Sequence, residues 1–130
     1  MIALDTNLLA RLLLKDDAVQ HARVKALLLT DQLFTAPITV FLELVWVLEV
    51  NDCARDEIVH GLGLLLGLKN FRPPHAAAVR EALRCYGGGM DFADALHLAL
   101  SSADDALLTF DKPFVRKAAK LKTPVRVLAA

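Results

Sequence analysis

Short apolar runs alternate with longer helical patterns along the chain. Four runs have the length and composition of buried strands: Met1–Leu4, Leu33–Ala36, Ala106–Phe110 and Val125–Leu128. Between them, apolar residues recur with helical spacing, and helices are predicted to begin near Thr6, Asp16, Ile38, Arg55, His75, Asp91 and Pro113. Short apolar strands that alternate with helices are typical of a parallel sheet covered by helices. We therefore expect one α/β domain over residues 1–130, a three-layer α/β/α sandwich with a mostly parallel central sheet.

The helix predicted over 38–50 is apolar on almost every side, which predicts a central position. Glu43 lies in its middle, and no lysine or arginine stands within a helical turn of it. A glutamate is almost never fully buried unless it is paired or bound to a metal. We expect Glu43 to be partly buried and a candidate ligand; a polar stripe that reaches solvent together with Glu49 is the alternative.

Composition narrows the class of protein. The chain has 130 residues, of which 55% are hydrophobic, so it folds around a core and is not disordered. Its longest apolar stretch, Leu62–Leu68, is far shorter than the roughly 20 residues that span a bilayer. With an acid already at Asp5, the start does not resemble a secretory leader. We expect a cytoplasmic protein without a membrane partner, in which Cys53 and Cys85 are thiols.

Charge is balanced overall but unevenly distributed. Residues 1–111 carry 9 basic and 15 acidic side chains, whereas residues 112–130 carry 6 basic side chains and no acid. The basic segment 112–130 favours binding of a polyanion, and the acidic segment 1–111 favours binding of cations. The alternative for the basic segment is a solvated helix face.

Two acids, Asp5 and Asp111, each follow a predicted strand. In parallel sheets, ligands bind beyond the carboxyl ends of the strands. For each, the alternative is a helix N-cap. Asp91 and Asp94 share one face of a predicted helix with His97. We expect Asp91 to cap that helix, and we interpret His97 as a packed or supporting imidazole.

If Asp5, Glu43, Asp94 and Asp111 converge, each pair of carboxylates about 4 Å apart repels by about 4 kcal/mol at an effective dielectric constant near 20. A hard divalent cation relieves that repulsion, and oxygen ligands suit Mg²⁺ or Mn²⁺. Such a metal activates water and stabilises the transition state of phosphoryl transfer. The sequence has no phosphate-binding P-loop and no G-x-S-x-G elbow.

Four segments together resemble the PIN-domain proteins, and within them the VapC branch, the ribonuclease toxins of toxin–antitoxin pairs. They are MIALDTN at 1–7, ITVFLELVWVL at 38–48, DFADALH at 91–97 and LTFDK at 108–112. The resemblance implies a PIN-like sandwich, a Mg²⁺- or Mn²⁺-dependent endoribonuclease, a homodimer, and a small VapB-like antitoxin that blocks the site.

By motif position, the resemblance assigns the acidic catalytic and metal-binding cluster to Asp5, Glu43, Asp94 and Asp111. It assigns supporting polar roles to Thr6, Asn7 and Thr109. Whether Asp91 is a metal ligand or a helix cap stays open. The basic residues that follow Asp111 are candidate contacts to RNA phosphates: Lys112, Arg116, Lys117 and Lys120.

Two alternatives to a nuclease differ in class. A phosphoaspartyl hydrolase with Asp5 as nucleophile usually has a second carboxylate two residues later, where this chain has Asn7. A related receiver domain needs an acid pair near the first strand, which the sequence does not supply. A catalytically silent PIN-fold interaction module is the other alternative, and the intact acids argue against it.

Overall fold

The computed structural model describes residues 1–130. It contains seven helices and four strands, and its contacts divide it into two compact units, Met1–Ala76 and Ala77–Ala130. The first unit contains β1 (Ile2–Ala3), α1 (Thr6–Leu14), α2 (Ala18–Leu28), β2 (Phe34–Thr35), α3 (Ile38–Val50) and α4 (Arg55–Leu66). The second contains α5 (Ala76–Gly87), α6 (Phe92–Leu100), β3 (Ala106–Thr109), α7 (Lys112–Leu121) and β4 (Arg126–Ala129). The first residue of α5, Ala76, is counted with the first unit.

Every strand pairing is parallel. In the first unit β1 pairs with β2, with Ile2 opposite Phe34, and Phe34 also forms a parallel bridge with Phe71. In the second unit β3 pairs with β4, with Leu107 opposite Val127. Because parallel strands need crossover connections, usually helical, these pairings fit the alternation of strands and helices along the chain. The predicted α/β class with parallel strands is confirmed, whereas a single domain over residues 1–130 stays a prediction.

Helices α1 and α3 organise the first unit. Helix α1 packs against both α2 and α3, and α3 packs against α4. The buried residues of α3 follow a single helical stripe: Val40, Phe41, Leu44, Val45 and Leu48. The opposite side carries Trp46, which is 63% exposed. The prediction that α3 is central on all sides was therefore wrong, because an apolar composition does not itself determine which face a neighbour covers.

Two further predictions of burial were wrong. The helical spacing of apolar residues in α2 predicts an inner face of Val19, Val24, Leu27 and Leu28. Only Val24 of this face is buried, and Val19 and Leu27 are exposed. The strand predicted as buried over Ala106–Phe110 ends at Thr109, with Leu108 and Phe110 exposed. In both segments apolar side chains lie on a face that nothing in the chain covers.

The two cysteines agree with the prediction. Cys53 is half-buried, Cys85 is buried, and both are free thiols. None of the seven helices combines the length and apolar character needed to cross a bilayer.

Gly89 is the glycine whose backbone requires the absence of a side chain. It has φ of +103° in the turn between α5 and α6, and its N–H donates to the Tyr86 carbonyl at 3.0 Å. A Cβ at this position would stand 3.2 Å from Nζ of Lys117. This turn leads directly into Asp91 and α6, so its conformation sets the start of that helix.

We expect Gly89→Ala to destabilise the protein by about 1–2 kcal/mol, because an L-residue is strained at this φ. Gly63→Ala is the matched control: Gly63 lies inside α4, and a Cβ there meets no atom within 4 Å. Alanine at position 63 should leave stability unchanged or raise it by up to about 1 kcal/mol. Urea unfolding of both variants measures the difference, and equal stabilities would contradict this interpretation of the turn.

Candidate active site

Asp5 lies at the carboxyl end of β1 and is the N-cap of α1. Its carboxylate accepts a hydrogen bond from the Thr6 N–H at 2.7 Å, and the side chain is exposed. The two roles considered for Asp5 are therefore compatible. The cap fixes one carboxylate oxygen, and the exposed group remains accessible to a ligand.

The two polar residues that follow Asp5 differ in environment. Thr6 is buried, only 4% exposed, and its hydroxyl has no hydrogen-bond partner. Asn7 is exposed on the first turn of α1. A buried hydroxyl without a partner is costly. It marks a place where an ordered water or the hydration shell of an ion would satisfy the protein.

Glu43 is exposed on α3, so the prediction that it is partly buried was wrong. The physical reason is the helical stripe: Glu43 lies on the same side of α3 as the exposed Trp46 and Val50, three and seven residues later. Glu43 takes part in neither the Arg11–Asp16 nor the Arg84–Glu81 ion pair. Its carboxylate is accessible and is not neutralised by the protein.

Asp111 repeats the arrangement of Asp5 in the second unit. It follows β3 and caps α7, where its carboxylate accepts the Phe114 N–H at 3.1 Å. The Thr109 hydroxyl in turn accepts the Asp111 N–H at 3.0 Å. Thr109 therefore helps to fix the backbone of Asp111, and the supporting role in catalysis stays a prediction.

Asp91 and Asp94 both belong to the start of α6 and differ in environment. Asp91 is the N-cap of α6, and its carboxylate accepts the Asp94 N–H at 3.2 Å. Asp94 lies one turn inside the helix and is half-buried. Burial raises the pKa of Asp94 above its ordinary value, and the charges of Asp91 and Asp111 raise it further, while His97 lowers it. Three predicted acids of the second unit thus act on one another electrostatically.

The chemistry of these residues fits a hard divalent cation. The candidate donors are all carboxylate oxygens, burial and then the charges of Asp91 and Asp111 raise the pKa of Asp94, and the Thr6 hydroxyl lacks a partner. Within each unit taken by itself, no three histidine, cysteine, aspartate or glutamate side chains form a complete metal site. The set of metal ligands predicted above, Asp5, Glu43, Asp94 and Asp111, stays a prediction.

The basic residues of α7 occupy two positions on the helix. Lys112, Arg116 and Lys120 are exposed and recur every four residues, so they share one face, opposite the buried Phe114 and Ala118. Lys117 is half-buried, with its amino group against Gly89. The exposed basic face suits phosphate contacts, and RNA binding by these four residues stays a prediction.

Sequence reasoning missed the residues beside Asn7. A groove between α1 and α2 is lined by the polar side chains of Asn7, Arg11, Gln20 and Arg23. The spacing of Gln20, Arg23 and Leu27 follows the helical period, so the shared face of α2 is visible in the sequence. The apolar residues of α2 indicate which face packs inward, but they do not show that Gln20 and Arg23 line a groove.

The raised pKa of Asp94 predicts a pH-dependent stability. A carboxyl group whose pKa is higher in the folded protein destabilises the fold above that pKa, and the cost vanishes as pH falls below the unfolded value, near 3.8. We expect Asp94→Asn to raise Tm at pH 7 in chelator, with a gain that shrinks towards pH 3.8. The control is Asp104→Asn, at an exposed position in the turn after α6. A gain of equal size at all pH values would contradict the assignment.

Comparison with known proteins agrees with this geometry. The profile of the PIN domain matches residues 2–120, nearly the whole chain. Among curated proteins, no sequence matches this chain at a significant level. The match includes every strand-to-helix junction and every acid described above. The chain therefore belongs to the PIN domain family, a family of nucleases.

Proposed function

We propose that this protein is a metal-dependent endoribonuclease that hydrolyses phosphodiester bonds of RNA. The observation that carries the proposal is Asp94, a half-buried carboxylate whose pKa is raised by burial and by Asp91 and Asp111. Carboxylates whose pKa is perturbed by burial and by neighbouring charges are concentrated at functional sites, where a bound ligand can compensate the cost of the charge. Membership of a nuclease family supplies the reaction class.

In this proposal Asp5, Glu43, Asp94 and Asp111 hold Mg²⁺ or Mn²⁺. When bound, the ion supplies an activated water and stabilises the negative charge that develops on the phosphoryl oxygens. The chain's own residues position the acids. Asp5 and Asp111 are held by the first turns of α1 and α7, and Thr109 fixes the backbone of Asp111. Thr6 donates its N–H to the Asp5 carboxylate, and Asn7, exposed in the same turn, is a candidate supporting residue.

The biological role that we propose is that of a VapC-type toxin. Support comes from the four segments that resemble this branch, at 1–7, 38–48, 91–97 and 108–112. The proposal includes a homodimer and a small VapB-like antitoxin that blocks the site. The uncovered side of α3, with Trp46 and Val50 exposed, offers apolar surface to a protein partner.

The test of the nuclease activity compares two aspartates of α6. Asp94→Asn should lower the rate of RNA cleavage by about a hundredfold or more, because it removes a direct metal ligand. Asp91→Asn is the matched control and should retain most of the activity, because asparagine caps a helix about as well as aspartate. Cleavage of RNA by the pure protein is measured in saturating Mn²⁺ and again in chelator.

Cleavage that persists in chelator would contradict the metal requirement. An inactive Asp91→Asn variant beside an active Asp94→Asn variant would reverse the roles of the two acids. Absence of RNA cleavage by the wild type in Mg²⁺ and in Mn²⁺ would favour the silent interaction module.

The basic face of α7 gives a second prediction. Replacing Lys112 and Arg116 together with alanine should weaken RNA binding and reduce the slope of log K against log salt by about 0.7 for each phosphate that the variant no longer neutralises. Lys69→Ala removes an exposed charge outside α7 and should leave the slope unchanged. Fluorescence anisotropy across a salt series in chelator measures both slopes, and an unchanged slope in the double variant would show that this face is only solvated.

A further inference from the structure

A groove of about 360 Å³ runs between α1 and α2 in the first unit. It is lined from α1 by Asn7, Leu8 and Arg11, and from α2 by Gln20, Arg23, Val24 and Leu27. The two helices pack against each other, so the groove is part of the folded unit. Its volume lies at the lower end of the range of small-molecule sites, which begins near 300 Å³. It therefore suits a ligand of about one nucleotide.

The apolar part of this groove is its floor. Val24 is buried, Leu8 is half-buried, and Leu27 is 44% exposed although its side chain is aliphatic. An apolar floor with a few polar groups at the rim is typical of sites that bind a planar ligand. These aliphatic side chains offer a surface for the face of a base.

Apart from Arg11, the polar side chains at the rim form no ion pair or hydrogen bond with the protein. Arg11 forms an ion pair with Asp16, with 2.6 Å between Nη1 and Oδ2, so its charge is compensated. Arg23 is exposed and forms no ion pair or hydrogen bond with the chain. The side-chain amides of Asn7 and Gln20 are likewise exposed and unpaired. The rim thus presents one uncompensated positive charge and two free amides.

One end of the groove lies at the first turn of α1, which contributes Asn7 to its lining. Asn7 belongs to the first turn of α1, the turn that the Asp5 carboxylate caps. A group bound at Asn7 is therefore within one helical turn of a proposed metal ligand. From there the groove extends along α1 towards Arg11.

We propose that this α1–α2 groove binds one nucleotide of single-stranded RNA next to the phosphodiester that is cleaved. Arg23 contacts a phosphate, the amides of Gln20 and Asn7 hydrogen-bond to the edge of the base, and Val24 and Leu27 lie against its face. Specific recognition of RNA targets single-stranded segments whose bases are unstacked and accessible. This inference rests on the proposed function, since the groove has a substrate role only if the chain acts on RNA.

The combination of groups favours a nucleotide over an acidic side chain of a protein. A carboxylate would accept from Arg23 and from the amide N–H groups of Asn7 and Gln20, but it has no donor for their amide oxygens. A base edge has both donors and acceptors, which is what an amide side chain recognises. The groove therefore matches a phosphate and a base together better than it matches a carboxylate.

The experiment measures binding of a labelled, mixed-sequence single-stranded RNA by fluorescence anisotropy in chelator, across a salt series. Arg23→Gln should weaken binding about tenfold and lower the salt slope by about 0.7, the value for one phosphate contact with a single strand. Gln20→Leu should weaken binding without changing the slope. The matched control is Lys25→Gln, an exposed residue of α2 that faces a different groove, and it should change neither quantity.

Cleavage of the same RNA in Mn²⁺ is measured in parallel and separates this inference from the proposed function. One outcome is that the wild type cleaves RNA and the Arg23→Gln variant binds RNA as well as the Lys25→Gln variant does. This outcome would overturn the groove assignment and leave the nuclease proposal intact. It would favour a protein carboxylate as the occupant of the groove. A wild type that binds RNA with the expected weakening at Arg23 but never cleaves would support the groove and overturn the nuclease activity. Arg23 and Gln20 are exposed, so their replacement should leave the circular dichroism spectrum unchanged.

Discussion

The capping of helices by aspartates is the interaction on which the candidate site depends. The first N–H groups of a helix have no partner within it, and a carboxylate at the N-cap accepts one of them. Asp5 does this where β1 passes into α1, and Asp111 where β3 passes into α7. Both acids are therefore held at the carboxyl ends of strands by the backbone that follows them. A capping bond occupies part of a carboxylate and leaves the rest accessible, so one residue contributes to stability and is available to a ligand.

The same principle explains why Asp94 is unusual. In α6 the capping position is occupied by Asp91, whose carboxylate accepts the Asp94 N–H, so the Asp94 carboxylate is not the cap of this helix. It is half-buried, and its pKa is raised first by that burial and then by the carboxylates of Asp91 and Asp111, while His97 lowers it. The fold thus retains an unfavourable charge that it does not need for structure. A site of this kind becomes favourable when a cation is bound, which links the local folding of α6 to the proposed chemistry.

The sequence predicted local structure well, because capping acids, prolines and apolar runs act over a few residues. The starts of α1, α6 and α7 follow directly from Asp5, Asp91 and Asp111. Burial was predicted less well, because it depends on which neighbour covers a face. Trp46 and Phe110 are exposed although their segments are apolar.

The candidate site was predicted to a similar extent. The motif acids and the role of Thr109 were visible in the sequence, as was the capping role of Asp91. The exposure of Glu43 was not visible in the sequence, since it depends on which side of α3 packs inward. The α1–α2 groove was missed because it exists only when two helices pack and leave Gln20 and Arg23 at a shared rim.

The central claim is that uncompensated carboxylates, Asp94 above all, bind a divalent cation. Titration calorimetry of Mn²⁺ into the metal-free protein, without RNA, tests it most directly. We predict that the wild type and Asp91→Asn bind Mn²⁺ with similar affinity, and that Asp94→Asn binds it at least tenfold more weakly. Equal Mn²⁺ affinity in Asp94→Asn and the wild type would contradict the claim.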